Sequence, residues 1–298
     1  MPTQHFLVVG AQKAGTTTLH VLLRQHQSLW LPPQKEAPFF TDATTWSNFD
    51  TYMEQVYSDA PAGALLGGVN PQYMRGASGA GTSEVADRVR ATLPGVKLIA
   101  SLRDPVARAV SEWRMATRRT IETRSFDDAV RELLTEDALV AARINPQPST
   151  SYLAQGEYGR ILEEWYARFP PEHIHIVHFG DLVSDPVAVA TGIHRFLGVD
   201  PLPPKATPTM HRSGSTTKVS DEQVAELYAL LTEHVWPHAP DNAKRAFKYW
   251  FGMWNIEPDE EPVEVSSESR TRLRSHYRDD AQRLKGLGVS APWLAHWD

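Results

Sequence analysis

The sequence predicts an α/β fold with a parallel sheet covered by helices on both faces, and three observations carry it. Short runs that are apolar without alternation recur along the chain. Each is followed by a stretch with apolar residues at helical spacing, and glycine or proline marks the junctions.

The first run, Phe6-Leu7-Val8-Val9, ends in Gly10, and Thr16 to Gln25 then places Leu19, Leu22 and Leu23 at helical spacing. Strand, glycine loop and helix follow one another. Leu65-Leu66-Gly67-Gly68-Val69 is a weaker strand, and Glu84 to Leu93 reads as a covering helix. Val96 to Leu102 repeats the strand pattern; Arg103-Asp104-Pro105 leads into a helix over Val106 to Arg118, with Pro105 suited to a first helical turn. Phe126 to Leu134 and Gly159 to Phe169 are further helices, and His173 to Phe179 is a strand followed by a helix over Pro186 to Leu197. In such a sheet ligands gather at the C-terminal ends of the strands.

Pro201 to Pro208 breaks the pattern. Beyond it come a helix over Asp221 to Val235, an aromatic-rich stretch Phe247 to Trp254, an acidic loop Glu257 to Glu264 and a helix over Ser267 to Leu284. We read 1–298 as one domain with a C-terminal helical appendage at about 219–265.

Composition narrows the chemistry. A net charge of −6, from 36 acidic and 30 basic residues, argues against nucleic-acid binding and leaves room for a local basic pocket. With no cysteine, disulfides, thiolate metal sites and a cysteine nucleophile are excluded. That suits a reducing cytoplasm. The N-terminus lacks the basic and long apolar regions of a signal peptide, and no run approaches the roughly twenty apolar residues of a membrane span. A soluble, cytoplasmic chain is the expectation.

In Gly10-x-x-Lys13-x-Gly15-Thr16-Thr17 the glycines let several N–H groups face one anion, the next helix adds its positive end, and Lys13 adds a full charge. An NTP-binding loop has lysine directly after the second glycine, where this chain has Thr16. A glycine turn with a solvated lysine and a degenerate kinase loop are the alternatives. Arg103-Asp104-Pro105 at a helix start is by itself a common capping arrangement.

The loop Val9-Gly10-Ala11-Gln12-Lys13-Ala14-Gly15-Thr16-Thr17 resembles that of the sulfotransferases that use 3'-phosphoadenosine 5'-phosphosulfate (PAPS). The resemblance implies a P-loop-like three-layer α/β/α fold. It assigns Gly10, Gln12, Lys13, Ala14, Gly15, Thr16 and Thr17 to the 5'-phosphosulfate, and Arg103 with Ser111 to the 3'-phosphate. Arg212 and Ser213, in a later basic loop, would close over that phosphate. Tyr158, in Gly156-Glu157-Tyr158-Gly159, would pack beside the nucleotide. Arg108 and Asp104 are expected to orient the Arg103 loop or to pair with each other.

Lys35-Glu36-x-x-Phe39-Phe40 resembles the Lys-Glu-x-x-Phe-Phe stretch of heparan-sulfate-type members, which carries the role of catalytic base onto Glu36. Lys13 would steady the leaving oxygen. The cytosolic branch of the family uses a histidine instead, but His5, His20 and His26 do not lie where that branch places it; His20 and His26 read as helix residues. Val69-Asn70-Pro71-Gln72-Tyr73 departs from the heparan type, which has lysine where Val69 stands. Asn70, Tyr73 and Phe39 are nonetheless candidates for the acceptor site. No Asp/Glu/His cluster has metal-ligand spacing, so no metal is expected.

The implied reaction moves a sulfuryl group from PAPS to a hydroxyl or amine of a small-molecule, glycan or lipid acceptor, releasing adenosine 3',5'-bisphosphate. The alternatives are a P-loop kinase using Mg-ATP and a non-catalytic nucleotide-binding module. The appendage would serve either the acceptor site or a homodimer contact.

Overall fold

The computed structural model describes residues 5–33, 35–36, 39–42, 46, 48–76, 81–206, 216–257 and 263–296. A five-stranded parallel sheet runs through it in the order β2-β3-β1-β4-β5. The strands are β1 (His5–Gly10), β2 (Leu29–Trp30), β3 (Leu65–Val69), β4 (Lys97–Leu102) and β5 (Ile174–His178). Phe6 and Val8 of the central β1 enter one core with Leu19, Leu22 and Ile193. Leu7 and Val9, pointing the other way, enter a second core with Val85, Ile161 and Leu162. A strand buried on both faces has no polar side to alternate with, which is why the runs are apolar throughout.

Each parallel crossover carries helices. Here α1 (Thr16–Leu23) leads to β2, α2 (Phe49–Tyr57) to β3, and α3 (Gln72–Arg75) with α4 (Gly81–Thr92) to β4. Between β4 and β5 lie α5 (Pro105–Arg118), α6 (Phe126–Leu133), α7 (Glu136–Ile144) and α8 (Tyr158–Tyr166); α9 (Phe179–Ser184) and α10 (Pro186–Leu197) follow β5. The result is the three-layer α/β/α arrangement expected of a P-loop-like fold.

Among the elements that the sequence reading did not give are β2, α2 and α7. β2 is a two-residue edge strand, too short for periodicity to register. α2 carries an Asn48 cap that accepts from Thr51 N at 3.3 Å, and α7 carries acidic residues in its first turn, both end signals without a long apolar face between them.

The last third divides in two. β6 (Thr216–Thr217) pairs antiparallel with β7 (Ile256–Glu257), and between them run α11 (Asp221–Leu230) and α12 (Asp241–Trp254). The α-helix expected to reach Val235 ends at Leu230 and continues as a wider π turn over Leu231–Val235. α13 (Ser267–Gly286) belongs to the sheet body: its Asp280 carboxylate accepts from Gly159 N and Arg160 N, each at 2.8 Å, and so caps α8. A Cβ on Gly159 would overlap the Asp280 carbonyl, so only glycine lets the two helices approach this closely. Arg212 and Ser213 lie outside the described residues.

Candidate active site

The loop after β1 is pinned to β4. Ala11 N donates to Ser101 O at 2.7 Å, and Ser101 Oγ donates to Ala14 O at 2.5 Å. Within the loop Gly15 has φ 82, and a Cβ there would sit 2.7 Å from Leu182 Cδ2. Lys13 has φ 67, a left-handed conformation that costs a residue with a side chain about 1 kcal/mol or more. Arg103, just past the end of β4, stabilises that turn: its Nη1 donates to Lys13 O at 3.2 Å while the guanidinium lies 4.7 Å from the centre of the Phe179 ring. The residues of the two expected phosphate seats therefore touch.

Both open on one cavity of about 440 Å³. Gln12, Lys13, Gly15, Thr16 and Thr17 of the loop line it, and so do Arg103, Ser111, Lys35 and Glu36. Glu36 has φ 65, so two of the three non-glycine residues with left-handed backbone among the described residues are Lys13 and Glu36; the third is Thr120. Strained backbone held by its surroundings is a feature of functional sites. Glu36 N donates to Val69 O at 2.9 Å, and the Glu36 carboxylate pairs with the buried Lys35 ammonium.

Other expected residues stand elsewhere. Gly10 and Ala14 lie behind the loop, Gly10 against Met74 and Ala14 fully buried. Tyr158, 1% exposed, is in the core; burial pushes its hydroxyl up to about 12, against the pull of Arg108. Phe39 is also 1% exposed and stacks on Tyr52 at 4.5 Å, so its ring joins the aromatic core instead of the cavity wall. Asn70 and Tyr73 line a second, much smaller cavity that shares Glu36 with the first. Asp104 and Arg108 do not pair. Asp104 caps α5, accepting from Ala107 N at 2.8 Å, while the fully buried Arg108 pairs with Glu112 and donates to Tyr152 O.

Arg75, Glu112, Met115 and Arg119 also line the large cavity, and sequence reasoning missed all four. Helical spacing from Ser111 was the available signal for Met115, one turn on; Arg75 comes from another crossover and carried none.

Electrostatically the site is built for an anion. Burial pulls the Lys13 ammonium down to about 8; Glu112 opposes the shift, and Arg118, Arg103 and Arg119 add to it. Among the described residues no carboxylate is within ion-pair distance of Lys13, and its contact is Met115 Sδ at 3.8 Å. Lys35 is likewise lowered by burial and held up by Glu36. Arg75 Nε is buried without a hydrogen-bond partner among the described residues. Lys13, Arg75, Arg103 and the loop N–H groups form a donor set that fits a nucleotide with phosphate at both ends of its ribose. Among the described residues there is no His/Asp/Glu group that could hold a metal, and no helix long and apolar enough to cross a membrane.

Comparison with known proteins identifies the fold and the family. The chain is 27% identical over 299 residues to the human bifunctional heparan sulfate N-deacetylase/N-sulfotransferase 3, covering 97% of this chain and 31% of that protein. It is 24% identical over 200 residues to the mouse heparan sulfate glucosamine 3-O-sulfotransferase 5, covering 65% of this chain and 53% of that protein. The chain thus spans between about a third and a half of the length of these relatives. In fold it resembles the crystal structure of a sulfotransferase from Alicyclobacillus acidocaldarius, with TM-score 0.58, 23% identity, 91% of this chain and 100% of that one. It also resembles a mouse sulfotransferase complexed with PAP, with TM-score 0.55, 11% identity, 100% of this chain and 89% of that one. The family described as "Sulfotransferase domain" matches residues 3–250. With the phosphate loop, the Arg103 seat and the parallel sheet all inside that match, the chain belongs to the sulfotransferase family.

Proposed function

We propose that this chain transfers a sulfuryl group from PAPS to a hydroxyl or amine of a small-molecule, glycan or lipid acceptor. The single observation that carries this is the Arg103-to-Lys13 hydrogen bond, which joins two anion seats in one cavity. A mononucleotide phosphorylated only at its 5' end would leave the second seat without a partner.

When bound, PAPS supplies an activated sulfuryl group whose S–O bond to the 5'-phosphate breaks as the bond to the acceptor forms. Lys13, poorly solvated and without a carboxylate partner among the described residues, holds its proton beside the 5' end and stabilises negative charge growing on the leaving oxygen. Arg103 binds the 3'-phosphate with the Ser111 hydroxyl beside it, both facing the cavity. Across the cavity Glu36 takes the acceptor's proton; its pairing with Lys35 orients the carboxylate for that transfer. The names of the heparan sulfate relatives support a glycan acceptor, and Val69, where the heparan type has lysine, sets this chain's acceptor site apart from theirs.

Calorimetry tests the donor. Adenosine 3',5'-bisphosphate is expected to bind without magnesium and more tightly than 5'-AMP; preference for Mg-ATP overturns the reading. Glu36→Gln is expected to keep that binding and to abolish transfer of radioactive sulfur from PAPS to an acceptor library.

A further inference from the structure

Behind Glu36 lies the second cavity, lined by His20, Pro32, Glu36, Tyr52, Tyr57, Gly68, Val69, Asn70 and Tyr73. Two of its side chains have their hydrogen-bonding directions fixed by the backbone. His20 Nε2 is 2.9 Å from Pro32 O, and a carbonyl only accepts, so Nε2 carries the proton and Nδ1 is a bare acceptor. Asn70 Oδ1 accepts from Gln72 N at 3.1 Å, so its amide nitrogen is turned away from that bond. His20 is 1% exposed and Asn70 2%, yet among the described residues His20 Nδ1 has no hydrogen-bond partner, and Asn70 Nδ2 has none of full geometry, only the Tyr73 hydroxyl beside it.

Buried polar atoms without partners are costly and rare. Here an acceptor and a donor face the same enclosed space. Its volume, about 10 Å³, is at the threshold for one water molecule, and its polar lining is of the kind that retains water.

We propose that this cavity is a single-water site, in which one water accepts from Asn70 Nδ2 and donates to His20 Nδ1 and to the Glu36 carboxylate. His20 and Asn70 are then positioning residues. They act on Glu36 through the water, as Lys35 does directly, and so hold the base from two sides. The inference rests on Glu36 being that base. His20 itself takes no proton: burial, with the positive charges of Arg24 and Lys35 nearby, pulls its imidazole down to about 3, against the bond to Pro32. The groups facing it across the cavity are Glu36 and the hydroxyls of Tyr52, Tyr57 and Tyr73, the last three raised by burial and therefore neutral.

The first test needs no turnover and so stands or falls apart from the role of Glu36. A high-resolution crystal structure of the unliganded wild-type chain is expected to show one water within hydrogen-bonding distance of both His20 Nδ1 and Asn70 Nδ2. An empty cavity, or a water reaching neither atom, overturns the site. The second test separates positioning from packing. His20→Gln keeps a donor for Pro32 but loses the Nδ1 acceptor, and is expected to lower kcat by about tenfold or more with bisphosphate binding unchanged. His20→Asn, whose amide oxygen reaches the Nδ1 position, is expected to retain more kcat than His20→Gln. The reverse order means that the Pro32 bond alone matters and sinks the positioning role. If Glu36→Gln keeps full turnover while the water is present, the base assignment has failed and the water site has not.

Discussion

The sheet body and the segment between β6 and β7 differ in what holds them. In α5, which runs from the Arg103 seat, Arg108 is 0% exposed and Ser111 5%. In α11 no residue is buried and Leu230 is 57% exposed, and Trp254 at the end of α12 is 53% exposed. The two ends of the segment are tied to each other by the β6–β7 ribbon and by Asn255, whose carbonyl accepts from Lys218 N at 2.9 Å and whose Oδ1 accepts from Val219 N at 2.7 Å. Trp250 also stacks near His20 at 6.4 Å, which brings α12 to the Glu36 side of the site. The body thus fixes geometry to the ångström, while the segment covers without being packed around. Donor binding belongs to the first kind of structure, and tolerance to substitution to the second.

The sharpest challenge to this contrast is Arg108→Ala. It strands the buried Glu112 charge and the Tyr152 carbonyl, and we expect a loss of about 3–5 kcal/mol in urea unfolding. A loss under about 1 kcal/mol would erase the distinction between the regions. A middle-sized effect should follow pH. Lys13 is charged below about 8 in the unliganded chain, so affinity for adenosine 3',5'-bisphosphate should be steady at lower pH. As pH rises through about 8 it should fall by up to about tenfold per unit, since only the protonated form attracts the anion. Calorimetry in steps from neutral to alkaline pH reads this, and a flat profile would remove Lys13 from the anion seat. The smallest effect belongs to Leu230→Ser on α11: within about 0.5 kcal/mol of wild type in the same unfolding assay. A larger loss there would mean that α11 is covered in solution.

The same contrast explains what could be read in advance. Strands buried on both faces write themselves as apolar runs, so β1, β3, β4 and β5 were legible, and so was the loop whose Lys13 and Gly15 must take left-handed backbone. Arg75 was hidden because its place depends on a crossover from another part of the chain, which no local spacing encodes. Phe39 was misjudged for a related reason: an aromatic ring near the Lys35-Glu36 pair looks the same in sequence whether it faces a cavity or, as here, packs on Tyr52 and Phe40. Arg108 and Asp104 carried opposite charges at helical spacing, but the cap at Ala107 and the buried Glu112 gave each a better partner.

The bond from Gly159 N to Asp280 joins residues 121 positions apart in the chain. During synthesis, β1, β4 and the phosphate loop are all in hand long before α8 acquires the carboxylate that caps it. The loop and its anchorage on β4 therefore form first, and the core that holds Tyr158 is finished only when α13 arrives. A message cut short ahead of Ser267 would yield a nascent chain with the loop formed and that part of the core still open, the sort of late-exposed surface that quality-control proteases find first.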